Sequence, residues 1–137
     1  MARILGLDFG KKRSGLAVTD PLQIIVTGLA AVETSSLIDY LKEYFSREAV
    51  EKIVIGLPTH NDGNYTLIKP DIDALVAKIN ILWPDLKVDF GNERMSSVDA
   101  KAIIMQSGAN RKTRQDKALV DKVSAVIILQ RYLGHIG

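Results

Sequence analysis

Residues 4–20 read ILGLDFGKKRSGLAVTD, and this stretch decides the fold of the chain. Its first part, Arg3 to Phe9, is an apolar run of strand length with one acid in it, which predicts a buried strand. After the turn from Gly10 to Arg13, the alternating residues from Ser14 to Thr19 predict an antiparallel partner for that strand. The chain therefore opens on a β-hairpin.

The hairpin is followed by a third strand and a first helix. Asp20-Pro21 marks a turn, and the apolar run from Ile24 to Val32 predicts a strand. Ser36, with Asp39 three residues later, resembles a capping box that opens a helix. The apolar residues of this helix fall on one face: Leu37, Ile38, Leu41, Tyr44 and Phe45.

Strands and helices then alternate. Lys52 to Leu57 is a continuous apolar run typical of a buried parallel strand, and Pro58 to Asn64 is a loop. A second helix is predicted with Pro70 in its first turn, and Lys87 to Gly91 is a fifth strand. The apolar residues of that helix repeat at helical spacing: Ile72, Leu75, Val76, Ile79 and Leu82.

Two more helices complete the chain. Ser96 with Asp99 resembles a second capping box, opening a short helix that Gly108 ends, and a last helix runs from about Lys117 to Leu133. The order predicts one α/β domain over residues 1–137, with a five-stranded mixed sheet whose first three strands are antiparallel. This order of elements resembles that of the ribonuclease H-like fold.

The composition narrows the chemistry. The 137 residues are 47% hydrophobic and 25% charged, which suits one globular domain. There is no Cys, so a thiolate nucleophile is excluded. With only two His, a zinc site of the usual ligands is improbable, and any metal needs oxygen ligands. The first apolar run is too short for a signal peptide or a membrane span, which predicts a cytoplasmic protein.

Basic residues are concentrated in two clusters, although the formal net charge is only +2. The other 11 basic residues stand against 16 acidic ones, which leaves −5 for the rest of the chain. A localised positive surface indicates an anionic partner such as a phosphate backbone, although solvated basic loops are the simpler explanation for either cluster alone. The clusters are Lys11, Lys12 and Arg13, and Arg111, Lys112, Arg114 and Lys117.

Three acids stand in unusual places. Asp8 interrupts the first apolar strand, where it could be a metal ligand or could close the strand by bonding the next turn. Glu93 follows the fifth strand, where it could be a ligand at a strand end or a surface partner of Arg94. Asp121 lies in the largely apolar last helix, where a salt bridge to Lys117 is the alternative. Together the three carboxylates suit Mg²⁺ or Mn²⁺.

These features resemble the YqgF family, also called RuvX-like, which is described as Holliday junction resolvases. Residues 4–20 match its opening motif. Three further segments agree in order: IVIGLP at 53–58 with Asp62-Gly63, NERMSS at 92–97 and VDKVSAVIIL at 120–129. The family usually has Asp where this chain has Asn92, so one carboxylate is missing from the motif.

The resemblance implies a ribonuclease H-like, cytoplasmic nuclease of structured nucleic acid, acting on the 5′ end of pre-16S rRNA, on Holliday junctions, or on both. It implies that Asp8, Glu93 and Asp121 are catalytic and hold one or two Mg²⁺ or Mn²⁺ ions. The expected partner is pre-rRNA or branched DNA rather than a membrane, with the chain a monomer or homodimer. The residues expected to hold the phosphate backbone are Lys11, Lys12, Arg13, Arg94, Arg111, Lys112 and Arg114.

Two other function classes fit parts of the sequence. A nucleic-acid or ribosome-assembly binding module with weak or lost nuclease activity is favoured by Asn92. An actin-like phosphotransferase is suggested by Asp8-Phe9-Gly10 alone, but those enzymes hold nucleotide between two such domains and this chain supplies one. Cleavage assays with Mg²⁺ or Mn²⁺ discriminate between these classes.

Overall fold

The computed structural model describes residues 2–57, 65–92 and 117–134. The strands are β1 (Arg3–Asp8), β2 (Arg13–Thr19), β3 (Val26–Glu33), β4 (Val50–Leu57) and β5 (Lys87–Asn92). The helices are α1 (Leu37–Arg47), α2 (Tyr65–Leu82) and α3 (Lys117–Tyr132), with a 3-10 turn at Thr34–Ser36. None of the helices described here is long and apolar enough to span a bilayer.

The five strands form one mixed sheet in the order β3-β2-β1-β4-β5. β1 pairs antiparallel with β2, and β2 pairs antiparallel with β3. β1 and β5 both pair parallel with β4. The predicted meander and the predicted parallel strands are therefore confirmed. The carboxyl ends of β1, β4 and β5 share one edge of the sheet, which is where α/β proteins usually place ligand groups.

Helices cover both faces of the sheet. Successive side chains of a strand point to opposite faces, and β1 shows this directly. Leu5 and Leu7 are buried in the cluster that contains α1 and α2, whereas Ile4 packs with α3. The face under α3 holds a smaller apolar cluster: Ile4, Ala17, Val54, Ala125, Ile128 and Leu129.

The start of α1 differs from the prediction. Ser36 is the N-cap residue, but its side chain makes no capping hydrogen bond, so the predicted capping box is wrong in its detail. A 3-10 turn precedes the helix and continues into its first turn. The predicted apolar face is present, since Leu37, Leu41 and Tyr44 are buried.

The position of Pro70 is also different. α2 begins at Tyr65, so Pro70 lies inside the helix rather than in its first turn. Ile68 is buried in the core ahead of the proline, which stabilises helix N-terminal to the start that the apolar spacing predicts. Pro70 is exposed, where water can bond the carbonyl that its missing N–H leaves unpaired. The predicted loop at 58–64 and the predicted helix between Ser96 and Gly108 lie outside the described residues.

Candidate active site

Asp8 is the last residue of β1 and lies at the edge of the sheet where the parallel strands end. Ile4 packs against α3, and a Cβ added at Gly6 would lie 3.2 Å from the Ala125 carbonyl oxygen of that helix. Because side chains alternate along a strand, Asp8 belongs to the same face as Ile4 and Gly6. The half-buried carboxylate therefore lies on the side of the sheet that α3 covers.

Asp121, in the second turn of α3, stands close to Asp8. Gly15 of β2 is the antiparallel partner of Asp8, and such partners have Cα atoms about 4.5–5.5 Å apart. A Cβ at Gly15 would lie 1.9 Å from the backbone carbonyl oxygen of Asp121, so the helix backbone rests directly on this glycine. The structure thus brings together two of the three predicted acids from opposite ends of the chain.

Arg13 forms an ion pair with Asp121. It is two residues before Gly15 on β2 and shares its face of the sheet. Its Nε lies 3.4 Å from Oδ2 of Asp121, and the two side chains are 38% and 28% exposed. Asp121 therefore has a cationic partner in Arg13, from the first basic cluster, whereas Lys117 is the partner that helical spacing suggests.

The turn between β1 and β2 is held by hydroxyl groups. The Gly10 amide donates to Ser14 Oγ at 3.4 Å, and Thr34 Oγ1 donates to the Gly10 carbonyl at 2.5 Å. The two hydroxyls are 2.8 Å apart, and the Thr34 amide donates to the Lys12 carbonyl at 2.9 Å. A Cβ at Gly10 would lie 2.3 Å from the Arg13 carbonyl oxygen, so only glycine fits there. The network fixes the turn that follows Asp8 and carries the exposed Lys11.

Sequence reasoning gave Ser14 and Thr34 no part in the site. Ser14 is fully buried in β2 although it is polar, which the structure shows and the sequence alone does not. Thr34 lies in the Thr-Ser-Ser run before α1, in which Ser36 was the predicted capping residue. The Thr34 hydroxyl reaches the Gly10 turn, and no spacing rule connects residues so far apart in the chain.

Ser124 is a buried polar residue next to the site. It lies three residues after Asp121, so it is a neighbour of Asp121 on the surface of α3. Its Oγ is fully buried, and among the described residues it is a hydroxyl without a hydrogen-bond partner. A buried hydroxyl without a hydrogen-bond partner generally costs stability.

The far end of α3 is fixed by a polar chain that crosses β4 and β5. The Tyr132 hydroxyl donates to Asp89 Oδ2 at 2.6 Å and accepts from Lys52 Nζ at 2.9 Å. The hydrogen bond from Tyr132 is the main cause that lowers the pKa of Asp89, and the bond to Tyr132 likewise raises the pKa of Lys52. These contacts keep α3 in place across the sheet, and with it Asp121.

The remaining predicted site residues lie outside the described residues: Glu93, Arg94, Arg111, Lys112 and Arg114. Glu93 follows Asn92, the last residue of β5, whose strand partner is Leu57. Within residues 2–57, 65–92 and 117–134, no group of three or more acidic, His or Cys side chains could hold a metal ion. Asp8 and Asp121 nonetheless supply carboxylate oxygens, the donors that Mg²⁺ and Mn²⁺ prefer.

A cleft opens on the other face of the sheet. It has a volume of about 730 Å³ and lies between α1 and α2, lined in part by Asp39, Lys42, Asp71 and Lys78. Acidic and basic side chains are mixed along it, and neither Asp8 nor Asp121 contributes to it. Asp8 and Asp121 therefore lie outside this cleft, on the face of the sheet that α3 covers.

Comparison with known proteins identifies the family. A family description, Holliday junction resolvase of the RuvX type, matches residues 2–135. The chain belongs to the RuvX family. This confirms the resemblance that four sequence segments indicate. A protein of Porphyromonas gingivalis named "Putative pre-16S rRNA nuclease" is 46% identical over 133 residues, which cover 97% of this chain and 96% of that protein.

Two further relatives carry the same name. The proteins of Flavobacterium johnsoniae and Bacteroides fragilis are 44% and 42% identical over 133 residues, and each alignment covers 97% of this RuvX chain and 96% of the relative. Such identity over nearly whole chains places this protein and its relatives in the same family throughout its length.

Solved structures confirm the fold. The structure of T. thermophilus RuvC in complex with a Holliday junction substrate has a TM-score of 0.58 at 14% identity, covering 98% of this chain and 97% of that one. A second Thermus thermophilus RuvC structure has a TM-score of 0.52, also at 14% identity, with 96% of each chain covered. The ribonuclease H-like fold predicted from the order of elements is therefore confirmed.

Proposed function

We propose that this RuvX family member is a metal-dependent nuclease of structured nucleic acid. It acts on the 5′ end of pre-16S rRNA, on Holliday junctions, or on both. The family and the names of its relatives make the chain a hydrolase of phosphodiester bonds. The structural observation that carries the proposal is the close approach of the Asp121 backbone to Gly15, the strand partner of Asp8, where the parallel strands end.

Asp8, Glu93 and Asp121 are the residues that would hold Mg²⁺ or Mn²⁺. A bound divalent cation activates water and stabilises the leaving oxygen of the phosphodiester. The described part of the site fits such a cation, because Asp8 and Asp121 offer carboxylate oxygens from two separate elements. Glu93 directly follows the strand that ends beside β4, which supports its place in the same ligand set.

Asn92 replaces one carboxylate of the usual family motif. An amide oxygen can still accept a hydrogen bond or bind a cation, but it carries no charge. The proposed site therefore has one negative charge less than the family pattern. Glu93 is then the acid that this motif contributes.

The basic residues hold the phosphate backbone in this proposal. Lys11 and Lys12 are exposed on the turn that follows Asp8, and Arg13 begins the next strand. Phosphate contacts position a nucleic acid without reading its sequence, which suits a nuclease that recognises structure. The rest of the proposed phosphate contacts are made by Arg94, Arg111, Lys112 and Arg114.

The cytoplasmic location of the protein and its state as a monomer or homodimer stay predictions.

The first test is the Asp8→Asn variant. The substitution removes a proposed metal ligand and one negative charge near the phosphates, so cleavage should be lost while nucleic-acid binding is kept or strengthened. Purified protein with Mg²⁺ or Mn²⁺ is offered a four-way DNA junction and a pre-16S rRNA fragment in parallel. Cleavage is read on denaturing gels and binding by fluorescence anisotropy.

Asp39→Asn is the matched control. Asp39 is exposed on α1, which covers the opposite face of the sheet, and its loss changes the net charge equally. The control should cleave like the wild type. Undiminished cleavage by Asp8→Asn would contradict the proposed site. A wild-type chain that binds both substrates tightly and cleaves neither would favour the binding module instead.

A further inference from the structure

Asp121 carries a cationic partner before any metal is considered. The Arg13 guanidinium lies 3.4 Å from Oδ2 of Asp121, and the contact joins the start of β2 to the second turn of α3. Both side chains keep about a third of their surface in contact with solvent. An ion pair this exposed is weak, generally worth less than about 1 kcal/mol, so another cation can replace the guanidinium at the Asp121 carboxylate.

The backbone of Arg13 is fixed while its guanidinium can move. In the β2–β3 ladder, the backbone of Arg13 lies opposite that of Glu33. The turn before Arg13 is held by the hydrogen bonds among Gly10, Ser14 and Thr34. The side chain is more exposed than Asp121 itself. A guanidinium at the end of a long side chain can therefore leave the carboxylate without any change in the sheet.

The same carboxylate cannot satisfy both cations fully. A divalent cation needs the lone pairs of its oxygen ligands, and it repels a guanidinium nearby. The guanidinium has the fork of N–H donors that matches a phosphate, and the neighbouring Lys11 and Lys12 already make this turn positive. A phosphate of the nucleic acid is therefore available as a second partner for Arg13 once a divalent cation occupies Asp121.

We propose that Arg13 is a displaceable counter-ion, which neutralises Asp121 in the metal-free chain and turns to the phosphate backbone when a divalent cation binds. This inference rests on the proposed metal-dependent function and makes Arg13 a positioning residue. It couples the two ligands, because metal binding frees the arginine that the nucleic acid needs. Coupling of this kind is reciprocal, so nucleic acid also favours metal binding.

The test measures metal affinity directly in the variant Arg13→Gln. Mn²⁺ is titrated into the whole chain and its free concentration is followed by electron paramagnetic resonance. Removal of the competing cation should raise the Mn²⁺ affinity by about twofold to fivefold, the range that a surface ion pair allows. Arg47→Gln is the matched control, since Arg47 forms an exposed ion pair with Glu43 on α1 and should leave the affinity unchanged.

A second measurement reads the other partner. Binding of a fluorescent four-way junction is followed by stopped-flow anisotropy, which reports binding before cleavage. Arg13→Gln should weaken binding more in Mg²⁺ than in EDTA, because in EDTA the wild-type arginine is still held by Asp121. Equal loss in both conditions would show an arginine that contacts phosphate permanently and would overturn the inference.

The outcomes separate this inference from the proposed function. Unchanged or weaker Mn²⁺ affinity in Arg13→Gln, with Mn²⁺ bound by the wild type, overturns the counter-ion alone. No Mn²⁺ binding by the wild type overturns both. Stronger Mn²⁺ binding in the variant, with no cleavage by the wild type, supports the counter-ion and contradicts the nuclease.

Thermal unfolding shows whether Arg13→Gln is folded. If it is not, the inference can still be tested by a measurement on the wild-type chain. In the ¹⁵N-labelled wild-type chain, the Nε–H resonance of Arg13 should shift on addition of Mg²⁺ with the same midpoint as metal binding. A resonance that does not move through the whole titration would overturn the inference.

Discussion

At the scale of single residues, Asp20 shows how one carboxylate can organise a loop. Its side chain accepts hydrogen bonds from the amides of Ile24 and Ile25, each at 2.8 Å, and from Leu22 at 3.3 Å. These bonds, with that from Ile25 the largest cause, lower the pKa of Asp20 below its ordinary value. The loop between β2 and β3 is thereby held in one conformation, with three apolar side chains exposed at its tip.

This bonding gives the loop a defined pH dependence. Because the folded pKa of Asp20 is lower than the unfolded one, its stabilisation is complete above the unfolded pKa of about 3.9 and is lost as the pH falls through the folded value. Asp20→Asn keeps an acceptor oxygen but cannot titrate, so part of the acid dependence of unfolding should disappear. Urea unfolding between pH 2 and pH 7 measures it. A variant with the full wild-type acid dependence would show that Asp20 contributes nothing.

Single residues also mark the limit of sequence reasoning. Asp8 and Asp121 could be singled out because each interrupts an apolar segment, and an uncompensated charge there is costly. The pairing of Asp121 with Arg13 could not, because helical spacing points to Lys117 and only the packing of α3 on β2 brings Arg13 near. The role of Thr34 was hidden for the same reason.

At the scale of elements, α3 rests on a glycine floor made of Gly6, Gly15, Gly28 and Gly91. Each belongs to a different strand, and each would place a Cβ against the helix. A Cβ at Gly15 would meet backbone, the Asp121 carbonyl oxygen at 1.9 Å, whereas at Gly28 it would meet the flexible side chain of Lys122, the nearest atom at 2.9 Å. The floor lets the helix backbone approach the sheet closely enough to bring Asp121 beside Asp8.

The two glycines should therefore respond differently to the same substitution. Gly15→Ala must push α3 away from β2, so we expect a loss of about 3 kcal/mol in the free energy of unfolding, the upper range for overpacking. Gly28→Ala should cost less, about 1 kcal/mol, the lower end of that range, because the Lys122 side chain can shift. Urea unfolding of both variants compares them. Equal losses would mean that α3 does not rest on Gly15 as described.

Elements were predicted well where one physical signal dominates. Apolar runs and alternation located all five strands, since burial on one face produces alternating apolar residues and burial on both faces produces a continuous apolar run. Helix starts were predicted less well. A buried Ile68 moves the start of α2 ahead of Pro70, and the capping hydroxyl of Ser36 makes no bond, because tertiary packing outweighs these local preferences.

At the scale of the whole molecule, positive charge is local although the chain is nearly neutral. Outside the two basic clusters the formal charge is −5, so general attraction by the whole protein does not account for nucleic-acid binding. Changing Arg111, Lys112 and Arg114 together to Ala should lower the slope of log K against log salt by about 2–3, because each side chain would no longer neutralise a phosphate. Anisotropy titrations over a range of salt concentrations measure the slope.

A control of equal charge comes from the opposite face of the sheet. Lys42, Arg47 and Lys78 are exposed on α1 and α2, and their replacement by Ala removes the same three charges. The slope of this control should remain that of the wild type. If the two triple variants changed the slope alike, the interaction would depend on net charge and not on Arg111, Lys112 and Arg114 in particular.

The placement of Asp121 on the last helix has a consequence for synthesis of the chain. β1 and β2 are made early, whereas the helix that completes the pair of carboxylates is made late. Ribosomes synthesise the chain from its amino terminus, so the hairpin of a nascent chain can fold long before Asp121 has been added. In the proposed site, an unfinished copy would therefore lack one of the three metal ligands, even while it is still attached to the ribosome, itself built from RNA.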